Sequence, residues 1–290
     1  MVEKTDSENL ARKRIEELRS QLNKHNILYY QQDSPQTSDA EYDAMMRELM
    51  ALETQHPSFA SRDSPAQRIG APPSKGFATI THKQQMLSLA NAFNQEEFVA
   101  WNERVAKLLT NKLEFVCELK YDGLAVSMTY ENGNLVKGAT RGDGKKGEDV
   151  TNNLKTVNHL PLNLSGGYPS ILEVRGEVVF PISDFNEFNV NRSSDGLTPY
   201  ANPRNAAAGA LRQIDPSETA KRPLDIFIYG IGHVNDQIPP QTQYELLDYL
   251  SALGFNINEH NDLVDSPSKV IDYYLNFLEM REDLDYICDG

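Results

Sequence analysis

The sequence predicts an α+β protein, in which a small helical N-terminal module precedes a domain of mainly antiparallel sheet with flanking helices. Two patterns lead to this prediction. Apolar residues recur at helical spacing through much of the N-terminal fifth of the chain. Further along, short segments alternate between apolar and polar residues with period two, and glycine-containing turns connect them. Because such short connections favour antiparallel pairing, the later part should form an antiparallel sheet.

The N-terminal module is predicted to contain two helices. The second begins at Ser38, which has capping-box spacing to Glu41, and ends before Pro57. The stretch 61–76 then has the composition of a linker, rich in proline and glycine. It places a boundary near residue 70, between modules 1–70 and 71–290. The first helix spans about Asp6 to Gln32, with an apolar row of Leu10, Ile15, Leu18, Leu22 and Leu28.

The larger module is predicted to be built on strands, with two helices towards its end. Segments rich in β-branched and aromatic residues are bounded by glycine or proline. The predicted strands are 114–123, 124–133, 134–142, 170–180 and 223–232. The predicted helices are 241–254 and 266–283.

Composition narrows the possible functions. The formal net charge of -14 argues against strong non-specific nucleic-acid binding by this chain alone, because phosphate contacts need clustered lysine and arginine. No apolar stretch is long enough to cross a bilayer, and the N-terminus lacks the apolar core of a secretory signal, so we expect a cytoplasmic protein without a membrane partner. Cys117 and Cys288 lie far apart, which indicates neither a zinc site nor a disulfide framework.

Two strands carry charges at alternate positions, where side chains share one face. Glu118, Lys120 and Asp122 follow this spacing in the 117–123 segment. The same spacing recurs at Glu173, Arg175 and Glu177. The two charged faces would then line one cleft. The alternative is that both faces point into solvent and form cross-strand ion pairs.

Two further segments suggest phosphate binding. The run from Gly142 to Gly147 fits G-x-G-x-x-G, but the strands around it look like antiparallel hairpins, so an ordinary glycine-rich turn is favoured over a Rossmann loop. Asn202 and Pro203 predict a helix start with free backbone N–H groups, which attract anions. Spacing alone leaves Arg204 and Arg212 as solvated residues on that helix.

Together these segments resemble a known family. "ELKYDG" carries the K-x-D-G signature of covalent nucleotidyltransferases, which include DNA ligases, RNA ligases and capping enzymes. Combined with "ATRGDGKKGEDVT", "LEVRGEV", "ANPRNAAAGALRQ", "KRPLDIFIYG" and "SDAEYD", it is similar to bacterial NAD-dependent DNA ligase along essentially the whole chain. The resemblance implies a nucleotidyltransferase domain after an NMN-binding module, with NAD as AMP donor and Mg²⁺ as cofactor.

The resemblance also implies roles for individual residues. Lys120 would attack the α-phosphorus of NAD and become lysyl-AMP, with Asp122 supporting the lysine and the metal chemistry. Arg204 and Arg212 would face the phosphates rather than solvent, and Arg212 would be one of the catalytic residues. The residues around the nucleoside would be Ser88 and Leu89 in the adenine pocket, Glu118 at the adenine amino group, Arg141 and Glu177 at the ribose, and Tyr229 stacked on the base.

The N-terminal module would grip the nicotinamide mononucleotide (NMN) half of NAD. Tyr29 and Tyr42 are suited to sandwich the nicotinamide ring. Tyr30 stands where many members of the family have histidine, and tyrosines packed against the neighbouring domain are the structural alternative for it. The whole matching set is Tyr29, Tyr30, Asp39, Tyr42 and Asp43.

The sequence ends where the family continues with strands that carry further essential lysines, and then with domains that encircle nicked double-stranded DNA. We therefore expect a monomeric part of a ligase for replication and repair, with weak adenylylation and no nick sealing of its own. Two alternatives stay open. An ATP- or GTP-using relative would lack the N-terminal module. A non-catalytic NAD-binding module would keep the pocket without the chemistry.

Overall fold

A computed structural model describes residues 2–30, 39–61, 64–65, 76–87, 89, 92, 94–109 and 112–290. In the N-terminal part, helix α1 spans Val2–Tyr30 and α2 spans Asp39–Gln55. Ile15, Leu18 and Leu22 of α1 form a buried cluster with Met46 and Leu49 of α2. The predicted pair of packed helices is therefore confirmed. Ser38, the predicted cap of the second helix, lies outside the described residues.

The apolar row predicted on α1 is wrong at its first member. Leu10 is 75% exposed, whereas Ile15, Leu18 and Leu22 are buried; the side chain of Leu28 lies outside the described residues. With about 1.5 Å of rise per residue, the 17-residue α2 can cover only part of the 29-residue α1. Pro57 follows α2 as expected and opens a single 3₁₀ turn, Pro57–Phe59.

The larger part is built on a four-stranded antiparallel sheet. Two short antiparallel strand pairs, β1–β5 and β2–β8, accompany the sheet, whose strand order is β4-β3-β6-β7. The strands are β1 Thr79–Thr81, β2 Phe115–Cys117, β3 Leu124–Glu131, β4 Asn134–Thr140, β5 Lys146–Glu148, β6 Ile171–Val179, β7 Asp225–Val234 and β8 Asp262–Val264. The α+β class is confirmed.

Helices cover one face of this sheet. Val174 and Val178 of β6 are fully buried in a core that includes Ala206 and Leu211 from α6 and Leu250 from α8. The helices in this part are α3 Gln95–Ala106, α4 Thr151–Leu154, α5 Ile182–Ser194, α6 Pro203–Leu211, α7 Pro216–Ala220, α8 Gln243–Ala252 and α9 Pro267–Met280. The other face of β6, which carries Glu173, Arg175 and Glu177, is left for charged groups.

The strand predicted through 114–123 is shorter than expected. Strand β2 ends at Cys117, and the backbone after it pairs with the C-terminal segment. The Lys120 N–H donates to the Gly290 carbonyl at 2.8 Å, and the Asp122 N–H donates to the Ile287 carbonyl at 2.9 Å. The residues therefore stay extended without belonging to a continuous ladder.

Candidate active site

The segment 118–123 separates charged from apolar side chains. Leu119 and Tyr121 are buried, and the Tyr121 ring stacks on Phe227 with 4.7 Å between ring centroids. The intervening Glu118, Lys120 and Asp122 are more exposed. The alternation predicted from the sequence thus survives, although the strand itself ends at Cys117.

Gly123 brings this segment against β6. A Cβ atom at this position would collide with the Val178 carbonyl oxygen and approach Glu177 Cγ to 3.0 Å. The Gly123 N–H also hydrogen-bonds the Glu177 carboxylate. A glycine at the end of the K-x-D-G motif therefore lets the lysine segment and the Glu177 strand lie in contact.

Glu177 lies in a charged cluster below the surface. Burial raises the pKa of its carboxyl group to about 7, against the lowering effects of Arg204, the Gly123 N–H and Lys120, while Asp122 raises it further. Such a group can hold or release a proton at neutral pH. The alternative of two solvent-facing charged strands is wrong at Glu173, which is only 3% exposed, whereas Glu177 is half-buried.

Oppositely charged side chains pair within this cluster. Lys120 Nζ donates to a carboxylate oxygen of Asp289. Arg204 Nη1 donates to Asp122 Oδ1 at 2.6 Å, and this bond raises the pKa of Arg204. Arg204 also interacts electrostatically with Glu177. The cationic groups thus sit among carboxylates, where an incoming phosphate can compete for Arg204.

Glu118 and Tyr229 are joined by Gln243. The Gln243 side-chain nitrogen donates to Glu118 Oε1 at 2.9 Å and to the Tyr229 carbonyl at 3.0 Å. Burial raises the pKa of the Tyr229 phenol to about 12, with Glu177 raising it and Arg175 and Arg141 lowering it. Tyr229 therefore links the Glu118 side of the site to the Glu177 side.

The segment 82–87 closes over this face of the sheet. Arg175 Nη2 donates to the Gln84 and Gln85 carbonyls at 2.9 and 3.2 Å. Arg141 Nε donates to the Met86 carbonyl at 3.4 Å. Glu173 Oε1 and Arg175 Nε are buried without a hydrogen-bond partner among the described residues.

The glycine run forms a turn, not a phosphate-binding helix start. It connects β4 to β5, and Asp143 Oδ1 accepts hydrogen bonds from the Lys145 and Lys146 N–H groups at 2.8 and 2.7 Å. The predicted start of α6 is confirmed, because Asn202 Oδ1 accepts from the Asn205 N–H at 2.8 Å and Pro203 is the first helical residue.

Seven of the residues implied by the resemblance are connected by these interactions: Glu118, Lys120, Asp122, Arg141, Glu177, Arg204 and Tyr229. Arg212 instead pairs with Glu148 at 2.6 Å. Leu89 is 76% exposed, and Ser88 lies outside the described residues. So do the side chains of Tyr29, Tyr30, Asp39, Tyr42 and Asp43, whose backbones belong to α1 and α2.

Sequence reasoning missed two residues of the site, Gln243 and Asp289. Their partners are 125 and 169 residues away in the chain. No local period or cap signals such contacts. The charged alternation included Arg175, but it did not predict the hydrogen bonds from Arg175 to segment 82–87.

The described residues do not form a ready-made metal site. No group of three or more histidine, cysteine, aspartate or glutamate residues in the described ranges could hold an ion. Asp122 and Asp289 already pair with Arg204 and Lys120. No helix in the same part of the chain is long and apolar enough to span a membrane.

An antiparallel-sheet domain flanked by helices, with the K-x-D-G lysine in a cluster of charged side chains, has the architecture of a nucleotidyltransferase domain. Comparison with family models specifies it further. Residues 74–290 match the NAD-dependent DNA ligase adenylation domain, and residues 8–70 match the DNA ligase-like N-terminal NAD⁺-binding domain. The chain therefore belongs to the NAD-dependent DNA ligase family.

Curated relatives named DNA ligase agree with this assignment. The chain is 50% identical over 280 residues to the one from Dehalococcoides mccartyi, covering 96% of this chain and 41% of that protein. It is 48% identical over 281 residues to the one from Carboxydothermus hydrogenoformans, covering 97% of this chain and 42% of that protein. The chain thus spans about two fifths of the length of the curated relatives it matches.

Proposed function

We propose that this chain carries the adenylylation step of an NAD-dependent DNA ligase. The observation that supports this most directly is the position of Lys120, the K-x-D-G lysine, which interacts electrostatically with Glu177, as Arg204 also does. The Lys120 amine attacks the α-phosphorus of NAD. A P–N bond forms, the P–O bond to NMN breaks, and NMN leaves with that electron pair.

The amine must lose a proton to act as a nucleophile, because a lysine in water is almost wholly protonated at neutral pH. Lys120 begins paired with Asp289. Glu177 interacts with Lys120 and has a pKa of about 7, so it can take up a proton under these conditions.

The remaining roles are those that the family resemblance implies. Glu118 would contact the adenine amino group and Tyr229 would stack on the base; the bonds from Gln243 to Glu118 and to the Tyr229 carbonyl support placing both residues at one site. Arg141 and Glu177 hold the ribose, and both interact with Tyr229. Arg204 and Arg212 exchange their carboxylate partners, Asp122 and Glu148, for phosphate oxygens. Ser88 and Leu89 complete the adenine pocket.

The NMN half of NAD is assigned to module 1–70, and the adenylate half to module 71–290. The match of residues 8–70 to an NAD⁺-binding domain supports this division. Tyr29 and Tyr42 would hold the nicotinamide ring, with Tyr30, Asp39 and Asp43 around the rest of NMN. In a complete ligase, Tyr42→Ala or Asp43→Ala should block reaction with NAD and spare sealing of pre-adenylylated nicked DNA. Equal losses in both assays would indicate misfolding instead.

For the whole protein we propose sealing of nicks in double-stranded DNA during replication and repair, with Mg²⁺ as the accompanying ion. The shared name of the relatives supports this activity. The protein would act as a monomer in the cytoplasm.

Intact mass spectrometry after incubation with NAD and Mg²⁺ tests the adenylylation step. We expect one added AMP, which peptide mapping places on Lys120 and which Lys120→Ala abolishes. AMP on Lys137 or Lys145, or AMP that persists in the variant, would contradict the assignment. Binding of NAD without any covalent AMP would support a non-catalytic NAD-binding module.

A further inference from the structure

Gln243 occupies a defined place at the edge of the site. It is the first residue of α8, directly after the N-cap Thr242, whose hydroxyl accepts from the Glu245 N–H. Leu247 and Leu250 of the same helix are buried. The start of the helix is therefore anchored, and the Gln243 side chain is presented towards Glu118 from a rigid element.

The orientation of the Gln243 amide follows from its partners. Glu118 Oε1 and the Tyr229 carbonyl are both acceptors, at 2.9 and 3.0 Å from the amide nitrogen. Only the NH₂ end of the amide can satisfy them, and its two hydrogens supply one bond each. One side chain thus fixes both the Glu118 carboxylate and the backbone of Tyr229.

The bond from Gln243 also acts on the charge of Glu118. Burial raises the pKa of the Glu118 carboxyl group, and the hydrogen bond from Gln243 lowers it. A donor that bonds to the ionised form favours that form. An ionised carboxylate is an acceptor only, whereas a protonated one also donates.

We propose that Gln243 is a positioning residue that holds Glu118 as a pure hydrogen-bond acceptor, and thereby sets the preference of the site for a 6-amino purine over a 6-keto purine. This inference rests on the proposed role of Glu118 at the adenine amino group. The amino group at C6 of adenine donates to the carboxylate. The keto oxygen at C6 of hypoxanthine is an acceptor, so the ionised carboxylate rejects it.

The test compares binding of AMP and inosine monophosphate (IMP) to this chain by calorimetry. In Gln243→Leu we expect AMP affinity to fall roughly tenfold, the scale of a lost bond to a charged group, while IMP affinity falls much less. The pH profile provides a second readout. AMP binding weakens as pH falls through the Glu118 pKa, and in the variant this inflection should move to higher pH.

Two further variants keep the test decisive. In Glu118→Gln, which removes the charge, adding Gln243→Leu should change the AMP-to-IMP ratio no further. Gln243→Glu keeps the side-chain size but brings a second carboxylate to Glu118, so one proton becomes shared and the preference should move towards IMP. Gln241→Leu is the matched control, because the Gln241 side chain is exposed and donates to the Pro239 carbonyl.

The outcomes separate the two levels of the hypothesis. An unchanged ratio and inflection in Gln243→Leu, with Glu118→Gln still reducing AMP binding, would overturn the role of Gln243 alone. A ratio that responds to neither residue would overturn the placement of adenine at Glu118, and with it the proposed site. Equal weakening of AMP and IMP with an unmoved inflection would mean that Gln243 only supports the fold.

Discussion

Charged residues serve different purposes in the helical pair and on the sheet. In α1 and α2, charges lie around an apolar cluster and find direct partners. Arg19 donates to both Glu53 and the Phe59 carbonyl, and Arg14 bonds Glu48 at 2.7 and 2.8 Å. On the sheet, Glu177 has its pKa raised to about 7 despite two nearby cations, and Glu173 is buried with an oxygen unpartnered within the described residues.

This difference separates a structural use of charge from a functional one. A buried carboxylate whose pKa is raised is less stable ionised in the folded protein than in the unfolded chain. Such a group destabilises the fold at neutral pH, and the proposed catalytic role accounts for its presence. Substitutions in the helical pair should therefore reduce stability, whereas neutralising Glu177 should increase it.

The largest loss of stability is expected for Arg19→Ala. Glu53 is only 7% exposed, and the substitution leaves its carboxylate buried without Arg19. Removing one partner of a buried ion pair costs about 3–5 kcal/mol. Denaturant titration measures this loss of unfolding free energy. Arg12→Ala is the control, because the Arg12–Glu16 pair is exposed and should contribute less than about 0.5 kcal/mol. Similar losses in both variants would refute the distinction between the pairs.

A smaller loss is expected for Gly123→Ala. The added methyl would strike the Val178 carbonyl, which belongs to β6 and can move only with its strand. Overpacking of this kind costs roughly 1–3 kcal/mol. At Gly230 in β7, a Cβ atom would meet no heavy atom of the described residues within 4 Å, so Gly230→Ala should be neutral or mildly stabilising. Thermal unfolding of both variants measures this difference in stability. Equal changes in stability would mean that the close approach at Gly123 is unimportant.

The smallest change in stability is expected for Arg204→Ala. Its side chain is 52% exposed, and exposed ion pairs contribute about 1 kcal/mol or less. The variant should nevertheless bind AMP much more weakly while retaining its affinity for adenosine, which lacks the phosphate. Lys221→Ala, which breaks the exposed Glu218 pair, is the control for both measurements. A parallel loss of adenosine binding would argue against a phosphate contact.

Local signals in the sequence predicted much of the fold. Asn202 and Pro203 predicted the start of α6, and the alternation in 170–180 predicted β6 with its charged face. Local signals could not predict where β2 ends, because residues 118–123 pair with the distant C-terminal segment. Helix α5 was also missed, since none of its residues is buried and its apolar period is weak.

The site was predictable to the extent that its residues lie in recognisable motifs. Lys120 and Glu177 belong to such motifs, and their proximity was expected from two charged faces on one cleft. The pairing of Lys120 with Asp289 depends on how distant segments pack, which no local period encodes. The same holds for the bridge from Gln243 to Glu118 and Tyr229.

Glu177 is kept for function at a cost to the stability of the fold, and the Glu177→Gln variant tests both parts of this statement. Because its folded pKa lies above the unfolded value, the contribution of Glu177 to wild-type stability should fall as pH rises from about 4.5 to about 7. Above that range the variant should be more stable by up to about 3 kcal/mol, and near pH 4 the two should agree. The variant should also lose AMP binding. A difference in unfolding free energy between wild type and variant that stays constant across this pH range, with AMP binding unchanged, would contradict a functional role for Glu177.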